Sequence, residues 1–383
     1  MPFTVMLLFG TRPEAIKMAL LARCLGSMPG INLKICVTGQ HKEMLDQVMA
    51  TFGIRADEDL AVMLPGQTIN ELTANLLAGL DALYARHEPD LVLVHGDTTT
   101  CFAAALAAFH RKVAVGHVEA GLRTGNLQAP WPEEANRRLT AVLADLHFAP
   151  TPGARDNLLR ENIAPESIHV TGNTVIDALL WMRNELNDSG WQPAAASPLG
   201  ALRPGRMVLV TGHRRESFGA GLEAICRALR RLAERYPEVD FVYPVHLNPG
   251  VQNAVHGLLA DIPNVLLIEP LDYQHFVWAM ERCDLILTDS GGIQEEAPTL
   301  GTPVLVMRET TERPEALACG ALRLVGVEER GIVDQACVLL DDQEVCRAMS
   351  EAGNPFGDGR ASEQIARQVL AWLEAREGVR HEL

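Results

Sequence analysis

No Cys-x-x-Cys pair and no His-Glu-x-x-His stretch occurs in the chain; its eight cysteines are scattered from Cys24 to Cys346. That excludes the common structural zinc frameworks and a small disulfide-stapled fold, and leaves reduced, buried thiols as the reading. Long apolar runs are also missing. The longest, Cys101 to Phe109, falls well short of the roughly 20 residues that a membrane-spanning helix requires. No basic-then-apolar leader opens the chain, so the expected address is the cytoplasm. Positive charge is scarce: 33 Lys and Arg stand against 49 Asp and Glu, a formal net charge of −16. Such a field repels nucleic acid and anionic membrane, and neither is expected as a partner.

What is present is ordinary globular material. The 383 residues are 48% hydrophobic and 21% charged, enough for two or three domains at roughly 150 residues each. Short β-branched or leucine-rich runs recur at 4–9, 33–38, 91–95, 113–118 and 168–171. They recur again at 207–211, 241–245, 265–268, 285–288, 304–307 and 322–325. Helical apolar spacing fills most of the intervals, as over 14–25 and 222–232. Strands alternating with helices predict parallel sheets covered on both faces, here as two doubly wound α/β domains. Periodicity breaks over 184–206, the expected junction, with the crossover itself as early as Gly172. A closing helix begins near Ser362, an N-cap type, and carries Ile365, Val369, Leu370 and Leu373 at helical spacing.

In such folds ligands sit beyond the carboxyl ends of the strands, where this sequence concentrates its unusual residues. After the first strand, Gly10-Thr11-Arg12-Pro13-Glu14-Ala15-Ile16-Lys17 sets an Arg and, a turn later, a Lys at a helix start; an anion is the expected partner. After 285–288 comes Asp289-Ser290-Gly291-Gly292, whose paired glycines let a backbone approach a phosphate. That turn is neither the dinucleotide fingerprint nor a Walker loop, so no nicotinamide cofactor and no ATP are expected. His213, Arg214 and Arg215, His246, Arg308 and Arg313 add positive charge at further strand ends, either for a diphosphate or for neighbouring glutamates. Asp97, Glu119, Glu133 and Glu134 follow apolar strands or open a helix and are candidate acids and bases. For Asp97 the second reading is an N-cap of the Thr98 helix, whereas Glu134 reads first as an ordinary helix-start charge.

The motifs together resemble the non-hydrolysing UDP-N-acetylglucosamine 2-epimerases of bacteria. The resemblance is carried in order by 9–18, 95–100, 116–125, 130–137, 211–219, 244–249, 289–298 and 311–316, and so runs from end to end. It implies a glycosyltransferase-B-type architecture with the site in the cleft between domains 1–171 (joined by the helix 362–383) and 172–361, and a homodimer. It implies conversion of UDP-N-acetylglucosamine to UDP-N-acetylmannosamine by elimination of UDP and re-addition, with no cofactor and no metal. Asp97, Glu119 and Glu133 become the acid/base groups, with His213 beside the leaving oxygen. Arg12, Lys17, Ser290, Gly291, Gly292 and Arg313 hold UDP, Glu296 its ribose, and Leu271 and Phe276 its uracil. Gln40, His41, Gln67 and His246 match a second site through which some relatives respond to substrate. The competing readings are a hydrolysing epimerase, a transferase of the same fold, and a silent nucleotide-sugar sensor.

Overall fold

The computed structural model describes residues 2–39, 42–64, 66–212 and 219–382. Their contacts divide into two units, 1–178 with 356–383, and 179–355. The first contains a parallel sheet of β1 (Phe3–Phe9), β2 (Ile31–Val37), β3 (Glu58–Asp59), β4 (Leu91–His95), β5 (Ala114–Val118), β6 (Leu146–Ala149) and β7 (Ile168–Val170). Its order is β3-β2-β1-β4-β5-β6-β7. The second contains β8 (Met207–Thr211), β9 (Asp240–Pro244), β10 (Val265–Ile268), β11 (Leu285–Thr288), β12 (Val304–Val306) and β13 (Leu322–Leu324), in the order β10-β9-β8-β11-β12-β13. Each sheet reverses its winding once, between β1 and β4 and between β8 and β11. Those are the switch points where an open parallel sheet leaves a crevice at its strand ends.

Burial on both faces explains the unbroken apolar strands. In β1, Met6 and Leu8 join a core with Val92, Val94 and Val115 under the helices Ile69–His87 and Thr99–His110. The second of these buries Ala103, Ala104, Ala105, Ala107 and Ala108, small enough to bring its backbone close to the sheet. Tyr84, fully buried, keeps its hydroxyl satisfied by donating to the Ala104 carbonyl at 3.2 Å. In the second unit, the helix Ala220–Arg235 buries Leu222, Ile225, Leu229 and Leu232, while Arg227, Arg230, Arg231 and Arg235 form ion pairs on the outside.

Four details differ from the sequence expectation. β3 is two acidic residues, Glu58–Asp59, with no apolar run to announce it. β6 has no counterpart in the expected strands: it is four residues long, is separated by only two residues from a helix that ends at Leu143, and is interrupted by a histidine. The helix Thr174–Ser189 runs into the start of the expected junction at 184–206, and the division between units falls within it, after Ala178. The closing helix Ala361–Glu382 starts before Ser362, and its cap comes from elsewhere in the chain. Asp177 accepts from the backbone N–H of Ala361 at 3.2 Å and of Ser362 at 2.6 Å. A distant carboxylate capping the helix leaves no local sequence signal. Ile365, Val369 and Leu373 then bury against the first unit, whose Arg12–Ser27 helix they meet.

Candidate active site

The end of β1 is organised by Glu14. Thr11 and Glu14 form a capping box on the helix Arg12–Ser27. The buried Glu14 carboxylate accepts from Gly10 N–H (3.0 Å), Thr11 N–H (2.8 Å) and Thr11 Oγ1 (2.8 Å), and reaches Thr98 Oγ1 (2.7 Å) beyond β4. Burial pushes its pKa up against these lowering hydrogen bonds. Glu14 therefore locks the two strands of the switch point together. Gly10 is required by proximity, since a Cβ there would run into the Thr38 and Thr100 hydroxyls.

The ends of β4 and β5 carry the most unusual group. Glu119 sits in the left-handed region at φ +64°, a strained conformation for a side-chain-bearing residue. Gly96 beside it also adopts a left-handed conformation, φ +65°, which glycine takes without strain. Gly96 is pinned by its N–H to Val118 O (2.9 Å) and by the His117 Nε2 contact to its carbonyl (2.7 Å). Lys17 pairs with Glu119 Oε2, and Asn173 Nδ2 donates to the same oxygen at 2.8 Å. Lys17 was expected on a phosphate; here its ammonium is buried and lies on Glu119. His95 Nε2 stands 3.8 Å from Glu119 Oε2, with burial holding the imidazole down to about 4.

Asp97 does not cap the following helix. Thr98 is the cap, accepting from Cys101 N–H at 3.1 Å, and Asp97 Oδ2 is held by Arg137 through Nε (2.9 Å) and Nη2 (2.6 Å). Asn136 Nδ2 donates to the Asp97 carbonyl at 2.9 Å. Both partners lie on the helix Glu133–Leu143, so Glu133 opens the helix that grips Asp97. Glu133 Oε2 is buried without a hydrogen-bond partner among the described residues. Glu134 departs from the expectation of a solvated helix-start charge. It is fully buried, accepts from Thr124 N–H (3.0 Å) and Gly125 N–H (3.2 Å), and pairs with Arg137 Nη1 (3.0 Å).

In the second unit the β8 and β11 ends are joined by Thr211 and Thr288, whose hydroxyls lie 2.6 Å apart. Ser290 N–H donates back to Thr288 Oγ1 at 2.9 Å, opening the turn into the short helix Gly291–Glu296. The Arg313 guanidinium lies against Gly291, where a Cβ would come within 2.8 Å of Nη1. Arg313 also pairs with the fully buried Glu295 (Nη2, 2.8 Å) and with Glu312 (Nη1, 3.1 Å); Arg308 shares Glu312 at 3.1 Å. Burial alone would raise Glu312, but the hydrogen bond from Arg308 and the charges of both arginines hold it at about 2. Glu296 is buried and accepts from Tyr273 OH at 3.1 Å. Leu271 lies just before the Tyr273–Arg282 helix, which Asp272 caps, and the half-buried Phe276 is that helix's fourth residue. Arg12 is half-buried at the first helical position of its own motif.

His213, Gln40 and His41 lie outside the described residues. Gln67 holds its own loop, donating to Val62 O (3.2 Å) and accepting from Leu64 N–H (3.2 Å); His246 Nδ1 accepts from Asn248 N–H at 3.1 Å. Among the described residues no cluster of His, Cys, Asp or Glu could hold a metal, and no helix is long and apolar enough to cross a membrane. Sequence reasoning passed over His95, Arg137 and Asn173. Two of them sit inside motifs it singled out, and Asn173 follows the crossover glycine, so only their partners were invisible.

Two Rossmann-like units with polar side chains gathered at the strand ends define an α/β enzyme of nucleotide-handling type. The same fold occurs in MurG of Acinetobacter baumannii, at TM-score 0.56 and 16% identity over 97% of this chain and 100% of that one. The family model for UDP-N-acetylglucosamine 2-epimerase matches residues 24–370. The UDP-N-acetylglucosamine 2-epimerase of Escherichia coli K12 is 55% identical over 366 residues, 94% of this chain and 96% of the relative. The crystal structure of the Neisseria meningitidis UDP-GlcNAc 2-epimerase bound to UDP-GlcNAc superposes at TM-score 0.93 with 48% identity, covering 96% of this chain and 100% of that one. The chain belongs to the UDP-N-acetylglucosamine 2-epimerase family.

Proposed function

We propose that the protein interconverts UDP-N-acetylglucosamine and UDP-N-acetylmannosamine by expelling UDP from C1, removing the C2 proton to give a 2-acetamidoglucal, and adding UDP back with a proton on the opposite face. The C2 proton has no adjacent carbonyl to acidify it, so departure of UDP must help break the C–H bond. Such a route needs a proton-transfer group for each face and a firm hold on UDP.

The observation that carries this reading is the set of three carboxylates in three environments. Glu119 pairs with Lys17 and accepts from Asn173, Asp97 pairs with Arg137, while Glu133 Oε2 is buried and unpartnered among the described residues. Carboxylates with differing partners can hold different protonation states at one pH, which is what a paired acid and base require. A sensor would need none of the three. His213 keeps its proposed place beside the leaving oxygen. The Ser290-Gly291-Gly292 turn, with the Arg313 charge behind it, is proposed to take the diphosphate. Glu296 is proposed to take the ribose hydroxyls, and Leu271 and Phe276 the uracil.

Product analysis tests this directly. Chromatography of UDP-N-acetylglucosamine incubated with the purified chain should give UDP-N-acetylmannosamine; free N-acetylmannosamine with UDP would place the chain in the hydrolysing branch. We also propose a homodimer. The packed helices Thr99–His110 and Glu133–Leu143 carry exposed Phe109, Leu139 and Val142, and light scattering would read the mass.

A further inference from the structure

Glu119 receives donors at Oε2 from Lys17 and Asn173, both of which favour its carboxylate form. His95 stands in a different relation. It is 3% exposed, neither ring nitrogen has a hydrogen-bond partner among the described residues, and Nε2 lies 3.8 Å from that same oxygen. A buried polar group without a partner is costly and rare in a folded protein, so it calls for a physical explanation. The titratable groups around the ring are Glu119, Lys17 and Asp97, with His117 on the neighbouring strand. Arg137 balances Asp97, and burial keeps His117 neutral. Burial also keeps His95 neutral, and a neutral imidazole has one bare nitrogen. In the tautomer that carries its proton on Nδ1, the bare Nε2 and the Glu119 oxygen are two acceptors with no proton between them, a pairing that fits the 3.8 Å gap.

We propose that His95 is a positioning residue that accepts a hydrogen bond from Glu119 when Glu119 carries the proton taken from C2. The inference rests on the proposed role of Glu119 in proton transfer. As the C2–H bond breaks, its proton goes to Glu119 and its electron pair forms the C1–C2 double bond. UDP leaves with the pair of the C1–O bond. His95 gains only a hydrogen bond; the abstracted proton stays on Glu119 until it exchanges with solvent, while a different group delivers the new proton to the opposite face of C2. Lys17 and Asn173 thus steady the resting anion, and His95 steadies the acid form, making Glu119 a better base than its two donors alone would allow.

The test compares His95→Phe and His95→Asn, which remove or withdraw the acceptor, with His95→Gln, whose amide oxygen can replace it. The rate is measured from pH 5.5 to 9 with ordinary and C2-deuterated UDP-N-acetylglucosamine. For His95→Phe and His95→Asn the expected result is a fall in kcat of about tenfold or more, with KM little changed. Their acid limb moves to lower pH, because Glu119 loses support for its protonated form, and their C2-deuterium effect grows. His95→Gln restores most of the rate. If His95→Phe does not fold, His95→Asn decides by the same readings. An acid limb and isotope effect unchanged from wild type overturn the proposal, even where kcat falls, because a merely structural loss moves neither. Wild-type protein that does not turn over UDP-N-acetylglucosamine overturns the functional reading itself, and this inference with it.

Discussion

Arg137 holds Asp97 with two nitrogens, at 2.9 and 2.6 Å, while its third nitrogen holds the fully buried Glu134 at 3.0 Å. One guanidinium thus fixes a candidate proton-transfer group and the loop turn at Thr124–Gly125 together. Arg137 is itself buried, so the pairs are not surface ion pairs of negligible worth. Replacing Arg137 with Met leaves the buried Glu134 with only the more exposed Arg138, 3.3 Å away, as its cation, and the expected loss is about 3 kcal/mol of stability. A denaturant series checks it; a loss under about 1 kcal/mol would show that solvent reaches the cluster.

Asp97→Asn keeps the shape of the group and removes its charge. The expected outcome is a fall in kcat of at least about a hundredfold, with UDP binding by calorimetry unchanged. Loss of both binding and turnover would make Asp97 structural.

The contrast with Glu134 shows where the sequence stops being legible. Six apolar runs in the second half correspond to β8 to β13, because buried parallel strands print themselves as continuous apolar segments. The candidate groups at strand ends were equally visible, since Gly, Asp and Glu directly after such runs have few structural reasons to be there. Pairing was not visible. Nothing local says that Asp97 will meet Arg137 and leave capping to Thr98, that Lys17 will lie on Glu119, or that Asp177 will cap a helix more than 180 residues later, at Ser362. The stretch Glu133-Glu134 reads as two equivalent charges, and only the fold turns one inward to bind the loop while the other opens the helix.

Gly291→Ala tests the second unit. A Cβ there would press on the Arg313 guanidinium, which is fixed from behind by Glu295 and Glu312. UDP affinity should fall by about tenfold or more while the melting temperature changes little. An unchanged dissociation constant would remove the Ser290-Gly291-Gly292 turn from the diphosphate site.

Acid should destabilise the chain before most carboxylates titrate. Burial holds His95 at about 4 and His117 at about 3, and lowers His147, against roughly 6.5 in an unfolded chain. The unfolded state therefore binds more protons, so their contribution is fully present above about pH 6.5 and is lost as pH falls toward 4. Between pH 7.5 and 5.0 that is about 2 kcal/mol for each histidine held this low. Glu14, raised by burial, works in the opposite sense and offsets part of it. Guanidinium unfolding at the two pH values reads the difference; equal stabilities would mean that water reaches the rings.

The central claim is proton exchange at C2 with UDP retained, and proton NMR in deuterated water tests it in one sample. UDP-N-acetylglucosamine should give UDP-N-acetylmannosamine whose C2 position carries deuterium from solvent. Epimer formed with its original C2 proton intact, or free N-acetylmannosamine as the main product, would contradict it.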